Sequence, residues 1–314
     1  MRRLGGPAIL AAALLAGFAG GLHAEPGLTA ISAVIKPVGA RASAMGGAFT
    51  AVDGGLDSVS YNPAGLSGAA GPALMADYTL GVAGDNFSFA GYAQPLPFGT
   101  LALGFTYFDA GSIHLILSDG TDQNVSAERD MAASAGLSVP LAAGVTAGVL
   151  LRGFRGELAQ QATARGYSAD AGLVWHSPIE GLNLGAAIQN AGPDVKYEVQ
   201  GDPLPLTARF GVSYDLRTSQ SSPEAAPHFA RFLMTADAVK VKDETASGGA
   251  GLEMDMPMGA SAGMALRLGY VLGGGPSSIT AGVGLRQGRL CLDYALAVEN
   301  SFDNTHHLSL GWRF

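Results

Sequence analysis

Cysteine is almost missing from this chain, since Cys291 is the only one among 314 residues. An internal disulfide is therefore excluded, and a lipid anchor on an N-terminal cysteine is not expected. Charged residues make up only 14% of the sequence and form no basic cluster, which argues against a nucleic acid partner. Beyond residue 24 no apolar run is long enough to cross a bilayer as a helix, so helical membrane spanning is excluded too.

Glycine is what the chain has in excess, with 46 residues and a mean hydropathy of +0.24. The segment 1–24 begins with Arg2 and Arg3, continues with an apolar centre and ends on small residues before a cut after Ala24. This is the pattern of a secretory signal peptide that is cleaved on export. We therefore expect an exported protein whose formal net charge, −8 for the whole chain, becomes more negative on cleavage.

After residue 72 the side chains alternate with a period of two. The final segment is the clearest case, because Leu308, Leu310, Trp312 and Phe314 fall on one face and polar or small residues on the other. In a bilayer every backbone amide needs a partner within the protein, so a chain without spanning helices can cross only as a closed barrel. Barrel strands direct apolar side chains towards lipid and small or polar ones towards the lumen. The alternation therefore predicts a transmembrane barrel.

Turn signals divide this region into fourteen strands, an even number that suits a single-chain bacterial barrel. The predicted fold class is all-β, a transmembrane antiparallel β-barrel of about 14 strands over 72–314. Its connections are expected to be short on the periplasmic side, apart from 217–228, and longer outside, as at 109–128 and 155–164. A secreted soluble β-sandwich alternates in the same way and is the alternative. The predicted strands are 72–82, 86–94, 99–109, 129–139, 143–154, 165–177, 181–190, 205–215, 229–240, 246–256, 259–271, 277–286, 289–298 and 305–314.

The segment 25–71 lies between the signal and the first strand and shows no clean alternation. Its residues 40–52 are mostly small, with Met45, Phe49 and Val52 spaced to share one helical face. In the stretch 62–65, Asn-Pro-Ala-Gly, the proline fixes its own φ and drives the asparagine to extended backbone. A fixed bend follows, although these residue types also make ordinary surface turns.

The stretch 39–66 as a whole resembles the N-terminal plug motif of the PorV/PorQ branch of the FadL-like outer-membrane proteins. The resemblance continues at 189–193, 204–205, 211–214, 266–270, 281–286, 293–294 and 307–314, and so covers most of the mature chain. One departure is that Gly54 and Gly55 stand where the family usually carries an acidic pair. The resemblance implies an outer-membrane barrel in which 25–71 folds into the lumen as a plug, or hatch. The matching plug residues are Gly39, Arg41, Met45, Gly46, Gly47, Phe49, Asn62, Pro63, Ala64 and Gly65.

The last eight residues, 307–314, are similar to the closing strand of bacterial membrane barrels. That resemblance implies that Leu308, Leu310, Trp312 and Phe314 form the signal recognised by the barrel-assembly machinery during insertion into the outer membrane. Outer-membrane lipid would then surround the barrel.

The alternation also directs a set of charged side chains into the lumen. They form either a neutralised ladder that anchors the plug or a selectivity ring. These lumen-facing charges are Arg152, Asp170, Arg209, Asp237, Arg267, Arg286, Asp293 and Arg313.

No catalytic or metal-binding motif emerges. The histidines form no H-E-x-x-H pattern, and the stretch 119–124 lacks the closing glutamate of a calcium loop. We therefore expect no enzyme activity, no metal and no cofactor, with an outer-membrane hydrolase built from a serine and a histidine as a remote alternative.

Two functions remain open. Transport follows from the FadL-like resemblance, which implies binding or passage of a hydrophobic small molecule through a plugged barrel. Docking follows from the PorV-type resemblance, which implies an accessory role in an outer-membrane protein secretion system, with secretion proteins as partners.

Overall fold

The computed structural model describes residues 31–81, 84–116, 120, 122–197, 201–217, 230–273, 278–299 and 304–314. The predicted signal peptide, the first residues of the expected plug and most of the 217–228 connection lie outside the described residues. Among those described, no helix is long and apolar enough to span a membrane.

The helices that lie wholly within the described residues all precede residue 72. They are one α-helix, α1 (Ala40–Ala44), and three 3₁₀ helices, Ser32–Val34, Gly55–Ser60 and Pro63–Gly68. The predicted helical face over 40–52 is wrong, because Gly46 and Gly47 adopt φ of 65° and 67° and end the helix.

Fourteen strands close into one antiparallel barrel in which every strand pairs with its neighbours along the chain. This confirms the predicted fold class. The barrel strands are β1 (Ala73–Leu80), β2 (Asn86–Leu96), β3 (Gly99–Asp109), β6 (Glu128–Pro140), β7 (Val145–Leu158), β8 (Ala162–His176), β9 (Leu182–Ala191), β12 (Thr207–Arg217), β13 (Arg231–Val241), β14 (Ser247–Pro257), β15 (Ala262–Leu272), β16 (Ser278–Gln287), β17 (Leu290–Glu299) and β18 (Thr305–Arg313).

Two small hairpins were not predicted: β4 (Ser112–Ile116) with β5 (Asp122–Ser126), and β10 (Val195–Lys196) with β11 (Gly201–Asp202). Both lie at the end of the barrel opposite Ala73 and Phe314. We call the end that holds Ala73 and Phe314 the proximal end and the other the distal end.

Closure is made by β1 and β18, which pair from Ala73 with Arg313 to Leu80 with His306. The register is continuous around the described barrel except between β8 and β9, where it shifts at Ala169 and Ala171. The predicted long connection at 155–164 is wrong. Strands β7 and β8 run on and are joined by a short turn in which Ala159 and Gln160 have φ of 49° and 58°.

The two faces of the wall differ as the period of two predicts. On β7, Val149 and Leu151 are exposed on the outside, whereas Leu150 and Arg152 are buried on the lumen side. The same alternation holds on β18, where Leu308 and Leu310 point outward and Ser309 inward. The outer surface is therefore largely apolar, and the core of the protein lies in the lumen.

Candidate functional site

Residues 31–71, which we call the lumenal segment, lie inside the barrel and cross it from wall to wall. Helix α1 packs against β15 to β18, whereas Pro63–Gly68 packs against β3, β6, β7 and β8. The turn Ser32–Val34 contacts β3 and β6 near the distal end. That the segment serves as a plug, or hatch, stays a prediction.

Glycines on the lumen side of the wall allow this close approach. A side-chain carbon at Gly269 would collide with the backbone of Met45 and Gly46, and one at Gly251 would come within 2.6 Å of the Met45 Cβ. On the opposite wall, a carbon at Gly148 would collide with the backbone of Pro63 and Ala64. These glycines therefore let the backbone of the wall pack directly against the backbone of the lumenal segment.

The charged part of the site joins the lumenal segment to β14, β15 and β17. Arg41 donates two hydrogen bonds to Glu253, Nε to Oε2 and Nη2 to Oε1, both 2.7 Å long. Arg267 donates to the same Glu253 at 2.7 Å and to Asp293 at 2.6 Å. Two arginines and two carboxylates therefore form one buried, charge-balanced network.

A second anchor is Asp237 on β13, which is 7% exposed. Its Oδ2 accepts the backbone N–H groups of Phe49 and Thr50, each at 3.0 Å, and the Thr50 hydroxyl at 2.6 Å. Arg209 lies 3.9 Å from this carboxylate and 5.2 Å from the centre of the Tyr61 ring. Arg209 and Asp237 thus hold the middle of the lumenal segment.

Asn62 is fully buried and fixes the predicted bend. Its side-chain amide donates to the carbonyls of Thr50, at 2.7 Å, and Leu173, at 3.0 Å, while its Oδ1 accepts the Ala64 N–H. Pro63 then opens a 3₁₀ helix, where its missing N–H costs nothing. A carbon at Gly65 would meet the Val52 carbonyl at 2.5 Å.

The remaining plug-motif residues also lie against this framework. Gly39 has a φ of 91° and sits on the Asp57 carboxylate, whereas Met45 and Phe49 pack with Ala42, Val52 and Tyr61 in one cluster. The apolar contacts expected from one helical face over 40–52 are therefore made by a chain that turns at Gly46 and Gly47.

Four of the predicted lumen charges, Arg152, Asp170, Arg286 and Arg313, belong to neither of these two anchors. Arg152 bonds to Asp170 at 3.2 Å and to Asn190 at 2.8 Å, and so stabilises the irregular register of β8 and β9. Arg286 and Arg313 lie near the proximal rim, where Arg286 is 3.6 Å from Asp255.

A polar cavity of about 860 Å³ lies in the proximal half of the lumen. Charged side chains line it, among them Asp57, Arg231, Arg286 and Arg313. Burial raises the pKa of the Asp57 carboxyl to about 7, an effect that Arg41 partly offsets.

The distal half of the lumen, which we call the distal chamber, is lined by apolar side chains and occupied by the start of the lumenal segment. Buried side chains from the distal part of the wall, such as Phe87, Phe108 and Phe154, belong to one apolar cluster with Ile31 and Val34 of the lumenal segment. The site thus has a charged proximal side and an apolar distal side.

Several residues of the site were missed by the sequence analysis, namely Thr50, Asp57, Glu128, Asp130 and Glu253. Glu253 and Asp130 occupy lumen-facing positions of their strands, so the period of two could have found them. Thr50 lies in a turn and Asp57 in the short 3₁₀ helix Gly55–Ser60, so neither position carries the period-two signal of a strand.

Comparison with known proteins supports the fold. No protein-family model matches the chain, and no curated protein matches it. Solved structures do match the chain. The Ralstonia pickettii toluene transporter TbuX aligns with a TM-score of 0.59 at 14% identity, covering 89% of this chain and 99% of that one.

Two further channels align in the same way. The P. putida toluene transporter TodX gives a TM-score of 0.58 at 12% identity, with 89% and 99% coverage. The CymD monoaromatic hydrocarbon channel gives 0.56 at 12% identity, with 89% and 98% coverage. The chain therefore shares the barrel fold of these channels.

Proposed function

We propose that this protein is an outer-membrane barrel of the FadL-like type that binds a hydrophobic small molecule and passes it across the membrane. It reaches that membrane through a cleaved signal peptide and inserts with the help of the barrel-assembly machinery, to which Leu308, Leu310, Trp312 and Phe314 form the signal.

The outer surface supports the membrane location. Apolar side chains such as Leu151 and Leu268 are 63% and 58% exposed on it, which is costly in water and favourable in lipid. Aromatic side chains lie towards both ends, with Trp312 proximal and Tyr78 and Tyr270 distal, as in barrels that span a bilayer.

The observation that carries the transport proposal is the apolar distal half of the lumen. A barrel wall that presents Phe87, Phe108 and Phe154 to the lumen offers an environment in which a hydrocarbon is more stable than in water. The shared fold with three hydrocarbon channels supports the same conclusion.

Uptake of toluene by cells or vesicles that carry the protein tests this proposal. Ala164 is a buried lumen residue of β8, and Ala171 faces outward on the same strand. Because a phenylalanine at 164 fills the apolar chamber, Ala164→Phe is expected to reduce uptake by about tenfold, whereas Ala171→Phe leaves it unchanged. Equal uptake with and without the protein would contradict transport.

Docking to a secretion system is the second candidate, and the hairpin β4–β5 favours it. This hairpin forms a sheet of its own at the distal end and exposes Ile113 and Ile116, which are 43% and 69% exposed. Replacing residues 112–126 by a short turn is expected to abolish co-purification of secretion proteins while toluene uptake persists. Loss of uptake without any change in bound proteins would argue against docking.

A further inference from the structure

The distal chamber contains a buried carboxylate that is only half satisfied. Asp130 on β6 is 0% exposed, and its Oδ2 accepts the Ala33 N–H at 3.0 Å. Its Oδ1 has no hydrogen-bond partner among the described residues. A buried polar atom without a partner costs free energy, so such an atom at an apolar site calls for an explanation.

The Tyr197 hydroxyl is the second group without a partner in the described chain. It reaches the same place as Asp130: a side-chain carbon at Gly156 would collide with this hydroxyl and lie 2.8 Å from the Asp130 Oδ1. A carboxylate oxygen and a phenolic hydroxyl therefore converge over one glycine of β7, and the glycine leaves room for both.

The side chain of Ile31 fills the space between them. Its Cδ1 would lie 2.6 Å from the same carbon at Gly156, and it is only 2% exposed. Its backbone has φ of 63° and ψ of 79°, a left-handed conformation that strongly disfavours a β-branched residue. An apolar side chain is thus held in a strained conformation against two polar groups that it cannot satisfy.

A second acidic side chain lies close to Asp130. Glu128, two residues before Asp130 on the same face of β6, accepts the Ser32 N–H at 3.1 Å and the Ser32 hydroxyl at 2.9 Å. No arginine, lysine or histidine forms an ion pair with either carboxylate among the described residues, and Lys36 pairs instead with Asp85. A head group that donates hydrogen bonds and carries positive charge would complement this pair.

We propose that the preferred ligand of the distal chamber is a small apolar molecule with a hydrogen-bond-donating head group, an amine before an alcohol, bound by Asp130 and Tyr197 in the place of the Ile31 side chain. The apolar body of this ligand packs on Phe154 and Val195, which line the same cluster. This inference rests on the proposed function and narrows its substrate class.

Calorimetric measurement of the binding of three probes to the purified barrel tests this inference. Toluene, benzyl alcohol and benzylamine share one body and differ in the head group. Benzylamine is expected to bind about tenfold more tightly than toluene, with benzyl alcohol between them, because only the amine adds a charge-assisted hydrogen bond. Toluene binding without any preference for the amine overturns this inference and leaves the proposed function standing.

Asp130→Asn is the matched variant, because the asparagine keeps the bond from Ala33 and replaces the free acceptor by a donor. It is expected to remove the amine preference and leave toluene affinity unchanged. Glu157→Gln, which removes one carboxylate from the outward face of β7, is the control and keeps the preference. An amine preference that survives Asp130→Asn overturns the assignment. Failure of all three probes to bind contradicts the apolar chamber itself, and with it the proposed function.

Discussion

Arg41 and Glu253 meet through two parallel hydrogen bonds of 2.7 Å, which join the lumenal segment to the barrel wall. The glutamate also accepts Arg267, so it is the centre of a network in which each charge is balanced. Glu253 is only 3% exposed, and this fork is the geometry in which an arginine binds a carboxylate best.

Removing this carboxylate should destabilise the protein. Glu253→Gln leaves Arg41 without its ion pair in a buried setting, and we expect a loss of about 3 kcal/mol in the free energy of unfolding. Denaturant titration of the barrel in detergent measures it. Asp255→Asn, on the same strand and 3.6 Å from Arg286 at the more exposed rim, is the control and should cost far less. Equal effects would refute a special role for the network.

The Asp57 carboxyl should make the stability of the folded protein depend on pH. Its carboxyl has a pKa of about 7 when folded, well above the usual value of the unfolded chain, because burial disfavours the charged form. The folded protein therefore holds the proton more tightly, and the stabilisation is complete below about pH 4 and lost as the pH rises to 7. We expect Asp57→Asn to gain stability relative to the wild type over this range and to level off above it. A difference between the two proteins that does not change with pH would contradict this.

We expect the replacement of Asn62 by aspartate, which has nearly the same shape, to destabilise the protein. An aspartate at this position keeps the bond from Ala64 but cannot donate to the carbonyls of Thr50 and Leu173, so both carbonyls lose this donor and face a buried carboxylate instead. Asn62→Asp should cost about 2 to 4 kcal/mol by denaturant titration. Asn183→Asp, near the proximal end of β9, is the matched control; if both variants unfold alike, the bend does not depend on these bonds.

Gly269 and Gly153 lie on opposite faces of the wall, Gly269 against the lumenal segment and Gly153 on the outside. A methyl group at Gly269 collides with the backbone of Gly46, whereas none of the described atoms lies within 4 Å of one at Gly153. Gly269→Ala should therefore displace the lumenal segment, seen as faster proteolysis within residues 31–71, and Gly153→Ala should not. Unchanged proteolysis in both variants would show that the wall accommodates the added methyl group without displacing the lumenal segment.

The barrel could be predicted almost entirely from the sequence because each strand has one apolar and one polar face. Predicted and observed strand ends agree closely, the main exception being β7, which continues from 154 to Leu158. The segment there carries arginine and glutamate, and polar composition alone predicts a loop rather than the end of a strand. The wall therefore follows from local pattern alone.

The interior could be predicted only in part. Small residues and the Asn62 bend indicated close packing, but the end of α1 depends on the positive φ of Gly46 and Gly47, which composition does not reveal. The partners of a lumen charge depend on which strands lie side by side. Arg152 and Asp170 therefore stabilise a register shift, while the unpredicted Glu253 holds the lumenal segment.

The backbone-on-backbone contacts of the lumen carry an evolutionary consequence. Gly269 touches Gly46, and Gly148 touches Ala64, with no side chain between them to absorb a change. A larger residue on either side is tolerated only if the opposite strand or the chain that crosses it recedes. Natural variants of this protein should therefore preserve these positions as pairs, and drift at one of them without its counterpart should mark barrels that no longer carry their N-terminal chain inside.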